Sequence, residues 1–268
     1  MKFNSVTRLT PCVLIAVALW PSSADVAAQD SDSWRPLEGD RPDATESPIP
    51  VDAGRFQIES SFVTYSKTGS GADRFESWTF GETNLKYGLT PRSDLQLIFA
   101  PHVIERVGAG GARVEDSGFG DLQARLKVNL WGADEGKTAF ALLPYVTMPS
   151  GSDVSGEVWE GGLVTPFAIE MSSRWSLGFQ TEIARVDVDG EREWDYAFTA
   201  VSGFDLGRGC GMYTEYVGNV GDHPYRHYFS GGLTWDLAPF TRFDVGALVG
   251  LNEDSDDLTV FTGVTWKF

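Results

Sequence analysis

Beyond residue 28 the sequence has no uninterrupted apolar run approaching the ~18 residues that a membrane-spanning helix needs, which excludes a helical span in that part of the chain. Cysteine is nearly absent: of 2 residues, Cys12 lies in the N-terminal apolar stretch, and Cys210 alone cannot form an intramolecular disulfide. Histidine is as scarce, with His102, His223 and His227 the whole complement. Their pattern favours ordinary rim residues over the usual acid–base and metal constellations. Ser230 follows His227 by three residues and so falls on the opposite face of a strand, away from any base, and no zinc-ligand spacing is present. His102 is expected on an inward face, and His223 and His227 flank a loop around Pro224. These absences argue against an enzyme and against a cofactor or resident metal. Basic residues are also few, 21 against 38 acidic ones, and a net charge of −17 repels nucleic acid at range.

At the N-terminus, Lys2 and Arg8 precede the apolar run Cys12 to Trp20, and small residues follow at Ala24, Val26, Ala27 and Ala28. That order is a secretory signal, expected over residues 1–28 with cleavage after Ala28. Residues 29–55 are rich in Pro, Asp and Glu and do not alternate. Such a segment buries little apolar surface, which favours a solvated periplasmic leader over a partial plug built from Asp40, Arg41, Asp43 and Glu46.

The rest of the chain has period two. Leu122, Ala124, Leu126, Val128 and Leu130 alternate with Asp121, Gln123, Arg125, Lys127 and Asn129. In the last ten residues Val260, Thr262, Val264, Trp266 and Phe268 share one face, while Thr259, Gly263 and Lys267 share the other with Phe261 as an apolar exception. A strand apolar on one side and polar on the other suits a wall between lipid and an aqueous lumen. This grammar predicts strands near 56–65, 78–89, 94–104, 118–131, 138–148, 158–169, 174–186, 194–206, 210–218, 225–236, 241–251 and 258–268. Short turns are expected at Thr90–Ser93, Gly132–Gly136, Met171–Ser173 and Ala238–Pro239, and looser loops at 66–77, 105–117, 149–157 and 187–193. Tyr87, Trp131, Phe167, Trp175, Trp235, Trp266 and Phe268 fall beside the short turns; Tyr65, Trp78, Trp159, Trp194 and Tyr225 fall at the opposite strand ends. Two interfacial belts follow. The reading is an all-β, antiparallel, up-and-down transmembrane barrel of about twelve strands over residues 56–268, in the outer membrane of a Gram-negative-type cell.

Several short motifs carry a resemblance. Arg41-Pro42-Asp43-Ala44-Thr45-Glu46-Ser47, Gly54-Arg55-Phe56-Gln57-Ile58-Glu59, Lys86-Tyr87-Gly88-Leu89-Thr90, Gly118-Phe119-Gly120-Asp121-Leu122, Pro149-Ser150-Gly151-Ser152 and Trp159-Glu160-Gly161-Gly162 lie in order along the chain. With them the chain resembles the outer-membrane transporters grouped as the "MetA-pathway of phenol degradation" family. Ala44 and Ser150 depart mildly from the family's bulkier residue and threonine. The resemblance implies a barrel associated with uptake of aromatic or other hydrophobic compounds.

The inward-facing set expected along a lumen is Glu82, Lys86, Arg125, Lys127, Gln180, Glu182, Glu215, Arg242 and Asp244. Charges of opposite sign across a lumen select solutes by size and polarity, so a passive channel for small solutes is the leading expectation. The competing expectation is a non-transporting structural or adhesive barrel acting through its acidic loops. Those loops carry Asp187, Asp189, Glu191, Glu193 and Glu253, Asp254, Asp256, Asp257, as plain solvated loops or as carboxylates bridged by divalent cations to lipopolysaccharide. The expected partners are outer-membrane lipid and lipopolysaccharide, the barrel assembly machinery and a small-molecule solute. The resemblance to outer-membrane proteins also implies that the terminal strand, with Trp266 and Phe268, is the assembly signal. Deleting Phe268 should then slow insertion in cells more than it destabilises folded protein, whereas a simple interface anchor would lower both together by about 1–3 kcal/mol. Heat-modifiable gel mobility, compared in cells and after refolding in detergent, separates the two; normal insertion in cells would refute the signal.

Overall fold

The structure is a computed structural model that describes residues 34–71, 73–109, 112–188, 190–221 and 224–268. The expected signal segment 1–28, the start of the leader, Asp189 and His223 lie outside the described residues. Valine, threonine and aromatic side chains fill the alternating segments, and turn residues punctuate them, so the chain forms strands almost throughout. They are β1 (Phe56–Ser70), β2 (Asp73–Phe80), β3 (Thr83–Thr90), β4 (Ser93–Phe99), β5 (His102–Ala109), β6 (Ala112–Gly118), β7 (Leu122–Trp131), β8 (Thr138–Met148), β9 (Glu160–Ser172), β10 (Trp175–Val188), β11 (Glu191–Gly207), β12 (Cys210–Gly221), β13 (Arg226–Ala238), β14 (Thr241–Gly250) and β15 (Leu258–Lys267).

Three pairs of these are halves of single wall strands. The upper part of β1 pairs with β2 and its lower part with β3; β2 pairs with β5, β3 with β4, β4 with β7 and β5 with β6. Interruptions at Gly81–Glu82, Ala100–Pro101 and Phe119–Asp121 separate the halves. The 15 segments therefore make a twelve-stranded antiparallel wall, closed by β15 pairing with β1. Closure matters because an open edge in lipid would leave a row of backbone groups unpaired. At the seam Phe56 N donates to Phe268 O at 3.0 Å and Phe268 N to Phe56 O at 2.9 Å.

Three of the four expected long loops are strand instead. Residues 66–77, 105–117 and 187–193 prolong β1–β2, β5–β6 and β10–β11 into hairpins beyond the barrel, while 149–157 is irregular as expected. Their Gly-, Asp- and Glu-rich composition reads as loop, yet each hairpin keeps its ladder because both of its strands are anchored in the wall below. The expected turn at Met171–Ser173 also shifts, since β9 runs on to Ser172.

Side-chain facing follows the pairing. Lys127, Asn129, Glu215, Asp244, Thr265 and Lys267 are buried, whereas Leu126, Leu130, Val245, Val249 and Trp266 are exposed. A conventional core is nearly absent: among the described residues the buried apolar cluster is Ala141, Leu143 and Val164, with Tyr145 beside it. An exposed apolar belt around a polar interior is the inverse of a water-soluble protein and fits a lipid-embedded wall. Aromatic contacts mark both borders. Phe56 sits 4.7 Å from Tyr87, Trp266 4.4 Å from Phe268 and Trp131 5.0 Å from Phe140 at the end with short turns; Tyr65 sits 4.4 Å from Trp78 and Tyr225 4.9 Å from His227 at the other.

His102 corrects an expectation. It lies opposite Phe80, its ring 6.1 Å away, on the outward face and not the inward one. The extra residue at Ala100–Pro101 shifts the alternation by one, which turns every later side chain of that wall strand to the other face.

Leu126→Arg should cost about 2–4 kcal/mol of folding stability, because it places a guanidinium against mid-membrane lipid. Urea titration of protein folded into vesicles measures this; stability equal to wild type would contradict the facing.

Candidate functional site

Residues 34–55 enter the interior of the wall. Leader and partial plug were both open from sequence; over the described residues the segment bonds to inward-facing side chains of β1, β3, β4, β7, β10, β11, β12, β14 and β15, which only a chain threaded inside the barrel can reach. It is held from end to end. Near the short-turn rim, Lys267 Nζ donates to Arg35 O at 2.6 Å and pairs with Asp52 Oδ2 at 3.0 Å, and Arg35 pairs with Asp134 at 2.6 Å. Further in, Asp40 takes two ammonium groups: Lys127 Nζ at 2.8 Å, and Lys86, which also contacts Glu59. The Asp40 backbone N donates to Glu59 Oε2 at 3.0 Å.

Arg41 reaches the wall beside the β1–β15 seam. Its Nη2 lies 2.6 Å from Asp244 Oδ1 and its Nε 3.1 Å from Asp244 Oδ2, a two-pronged contact, and Nη1 donates to Ser61 Oγ at 2.5 Å. Gly263 makes the room, since a Cβ there would stand 2.4 Å from Arg41 Nη2, and Phe261, the apolar exception of the last strand, places its ring 5.8 Å from the guanidinium carbon. Glu215 then caps a turn of the segment by accepting from Ala44 N at 2.9 Å and Thr45 N at 2.8 Å. Glu46 pairs with Arg125, and its backbone N donates to Gln180 Oε1 at 2.7 Å. Beyond it Asn129 Nδ2 donates to Pro48 O at 2.9 Å and Val51 N to Asp94 Oδ2 at 2.9 Å. The segment leaves by crossing β3 at Gly88, where a Cβ would stand 2.0 Å from Asp52 O and only glycine fits.

Each expected inward residue can now be placed. Lys86, Lys127, Gln180, Glu215 and Asp244 are buried against the segment, and Arg125 joins it through Glu46. Glu182 accepts a hydrogen bond from Tyr145. Glu82 is exposed at the β2–β3 interruption, within electrostatic reach of Arg41 and Arg125. Arg242 stands at the short-turn rim, where its Nε lies 2.7 Å from Asp236 Oδ1. Sequence reasoning missed Glu59, Asp94 and Gln96 as inward residues, although their alternation with lipid-facing residues carries the signal. It also missed the apolar strip of Ala141, Leu143 and Val164 inside β8–β9. Asn129 lies opposite Ala141 in the ladder, so its bond to Pro48 sets the segment against that strip. Tyr216 contacts His227 Nδ1 at 3.2 Å, while Ser230 is buried on the other face of β13.

The comparisons with known proteins bear on the whole of this arrangement. The family described as "Putative MetA-pathway of phenol degradation" matches residues 39–268. The chain belongs to this family. An outer-membrane channel from Pseudomonas putida F1 matches with a TM-score of 0.64 at 16% identity, covering 86% of this chain and 100% of that one. The NanC porin matches at 0.52 with 8% identity over 80% and 100% of the two chains. The translocator domain of the autotransporter NalP from Neisseria meningitidis matches at 0.50 with 10% identity over 81% and 89%. No curated protein sequence matches the chain. The fold of these neighbours, like that of the wall, is a closed barrel of the outer-membrane type. The family match begins at Gly39, so it takes in the inserted segment from Asp40 onward as well as the barrel.

The carboxyls of the segment divide in this family member. Burial alone would raise Asp40, but the ammonium groups of Lys127 and Lys86 outweigh it and hold that carboxyl well below the usual range. Burial, then the neighbouring Glu215, raises Asp43 well above its usual value. Burial and the charge of Asp40, opposed by Arg125, push Glu46 up to about 7. A raised carboxyl supports the docked state at low pH and loses that contribution as pH rises through its docked value; Asp40 does the reverse, losing its hold as pH falls. Asp40 is therefore the ionised anchor at neutral pH.

Asp40→Asn should leave Lys127 buried without its carboxylate and weaken docking of residues 34–52 by about 3–5 kcal/mol while the wall stays folded. Hydrogen exchange of the segment, read on protein with normal heat-modifiable mobility, tests this. Unchanged protection would show that Asp40 is not the anchor.

Proposed function

We propose that this protein is a passive outer-membrane channel that admits small solutes, aromatic and other hydrophobic compounds among them, and that the inserted segment sets its aperture. One observation carries the reading: the lumen of a twelve-stranded wall is filled by a separate strip of chain held through side-chain contacts, and not by a packed apolar core. A twelve-stranded wall is wide enough to enclose a lumen, and a filling held by side-chain contacts is a means of regulating it. Arg125 and Glu182 lie beside the buried apolar strip of Ala141, Leu143 and Val164 in the ladder, so withdrawal of the segment would bare both a polar and an apolar surface to a solute. That combination suits a compact molecule with a ring and a polar group. Support also comes from the family description, which names phenol degradation, and from the channel of Pseudomonas putida F1, which is named as such. The separation of His227 from Ser230 on opposite faces of β13 is a further reason to read a channel and not an enzyme.

In planar bilayers the full chain should conduct in small steps, and a variant lacking residues 34–52 should conduct at least several times more. Liposome swelling should admit phenol-sized solutes faster than disaccharides. Absence of conductance in both the full chain and the truncated barrel would overturn the channel reading.

A further inference from the structure

The outward face of the extracellular rim holds a polar site that the lumen does not use. Beyond the register shift between Ser61 and Val63, Tyr65 lies opposite Val260 and Lys67 opposite Leu258, both on the lipid-facing side of β15. The ladder carries that orientation sideways: Trp78 lies opposite Tyr65, Glu76 opposite Lys67, Arg106 opposite Glu76, Glu115 opposite Arg106 and Arg113 opposite Gly108. Arg74, two residues from Glu76, shares the face. Lys67, Arg74, Arg106 and Arg113 therefore point away from the barrel axis, with Glu76 and Glu115 between them as the acidic side chains of this ladder among the described residues.

The contacts leave this face cationic. Arg74 Nη2 and Arg113 Nη2 converge on the same oxygen, Glu76 Oε2, at 3.1 and 2.7 Å, and Tyr65 OH donates to its other oxygen at 3.0 Å. Arg106 Nε lies 2.7 Å from Glu115 Oε2. Each guanidinium has five N–H donors, and these contacts among the described residues engage one nitrogen on each. The three arginines line a cavity of about 260 Å³ with Gly71 and Gly108, whose missing side chains keep it open. The other face of the same hairpin is acidic, with Glu105 opposite Asp116. Charge is thus sorted by face, cations outward and carboxylates toward the mouth, in a chain whose net charge is −17.

Height decides what meets the cations. From Phe56 in the lower aromatic belt to Tyr65 in the upper one, a tilted strand climbs roughly 25 Å, the height of an apolar band. On this face Arg106 stands one step above Trp78, and Arg74 and Arg113 two, with the exposed Phe80 one step below Trp78, which places the arginines at the level of lipid headgroups. We propose that Arg74, Arg106 and Arg113 bind a phosphate group of the phosphorylated glycolipid of the outer leaflet, lipopolysaccharide, whose acyl chains lie against Trp78 and Phe80 below. Guanidinium forks match phosphate oxygens in pairs, and the excess positive charge offsets the repulsion that so acidic a protein has for an anionic leaflet.

The test titrates full-length protein, folded in detergent, with bis-phosphorylated lipid A, with its dephosphorylated form and with inorganic phosphate, following tryptophan fluorescence and native mass spectra. Bis-phosphorylated lipid A should bind, and dephosphorylation should weaken binding about ten- to a hundredfold. The combined change Arg74→Gln, Arg106→Gln and Arg113→Gln should do the same while conductance and heat-modifiable mobility stay at wild-type values. Arg113→Gln alone, at a half-exposed side chain, should give a smaller loss and covers the case in which the triple variant fails to fold. Arg92→Gln, at a short turn on the far rim, should change nothing. Wild-type affinity for lipid A in the arginine variants would overturn the proposal, and so would displacement of lipid A by equimolar inorganic phosphate, which would mark a site for a free solute.

Discussion

The ladder between β1 and β15 is the constraint on which everything else rests. A sheet in lipid has no water to satisfy an open edge, so the chain must meet itself, and the paired backbone of Phe56 and Phe268 is where it does. Closure fixes which face of every strand sees the lumen. From that follow an apolar exterior and an interior where lysine, arginine, aspartate and glutamate stand buried close together.

A lumen so lined needs partners for its charges, and the segment 34–55 supplies them. Asp40 sits between Lys86 and Lys127, Arg41 takes Asp244, and Glu46 takes Arg125, each pair joining the segment to a different part of the wall. Buried pairs of this kind add little net stability over apolar packing, yet breaking one is costly. They are therefore suited to holding a strip of chain in one register while leaving it separable from the wall, which a continuous apolar core would not allow.

The rim follows a different logic. Interruptions at Gly81, Pro101 and Gly120 fall on three neighbouring wall strands, and each shifts the alternation by one residue. These shifts turn His102 and the arginines of the β5–β6 hairpin outward and leave Glu105 and Asp116 facing the mouth. One irregular level in the wall thus sorts charge between the membrane border and the opening of the lumen.

Much of the wall was legible in sequence. Alternation over 122–130 and 258–268, together with aromatics at the strand ends, is set by local chemistry, because each side chain meets lipid or lumen according to its position in the strand. Strand number and the short turns other than Met171–Ser173 followed from the same pattern. The hairpin extensions over 66–77, 105–117 and 187–193 were not legible, since a polar, glycine-rich stretch keeps its ladder only when the wall beneath anchors both strands. The outward turn of His102 was hidden for a related reason: one extra residue reverses a face, and sequence does not say where it will be inserted. For the inserted segment, composition told only that it could not form a core of its own. Sequence by itself determined a lipid-facing β wall and an acidic, proline-rich strip that cannot pack alone. Only the tertiary structure decided that the strip lies inside, because the partners of Asp40, Arg41 and Glu46 come from strands far along the chain and meet only when the barrel closes.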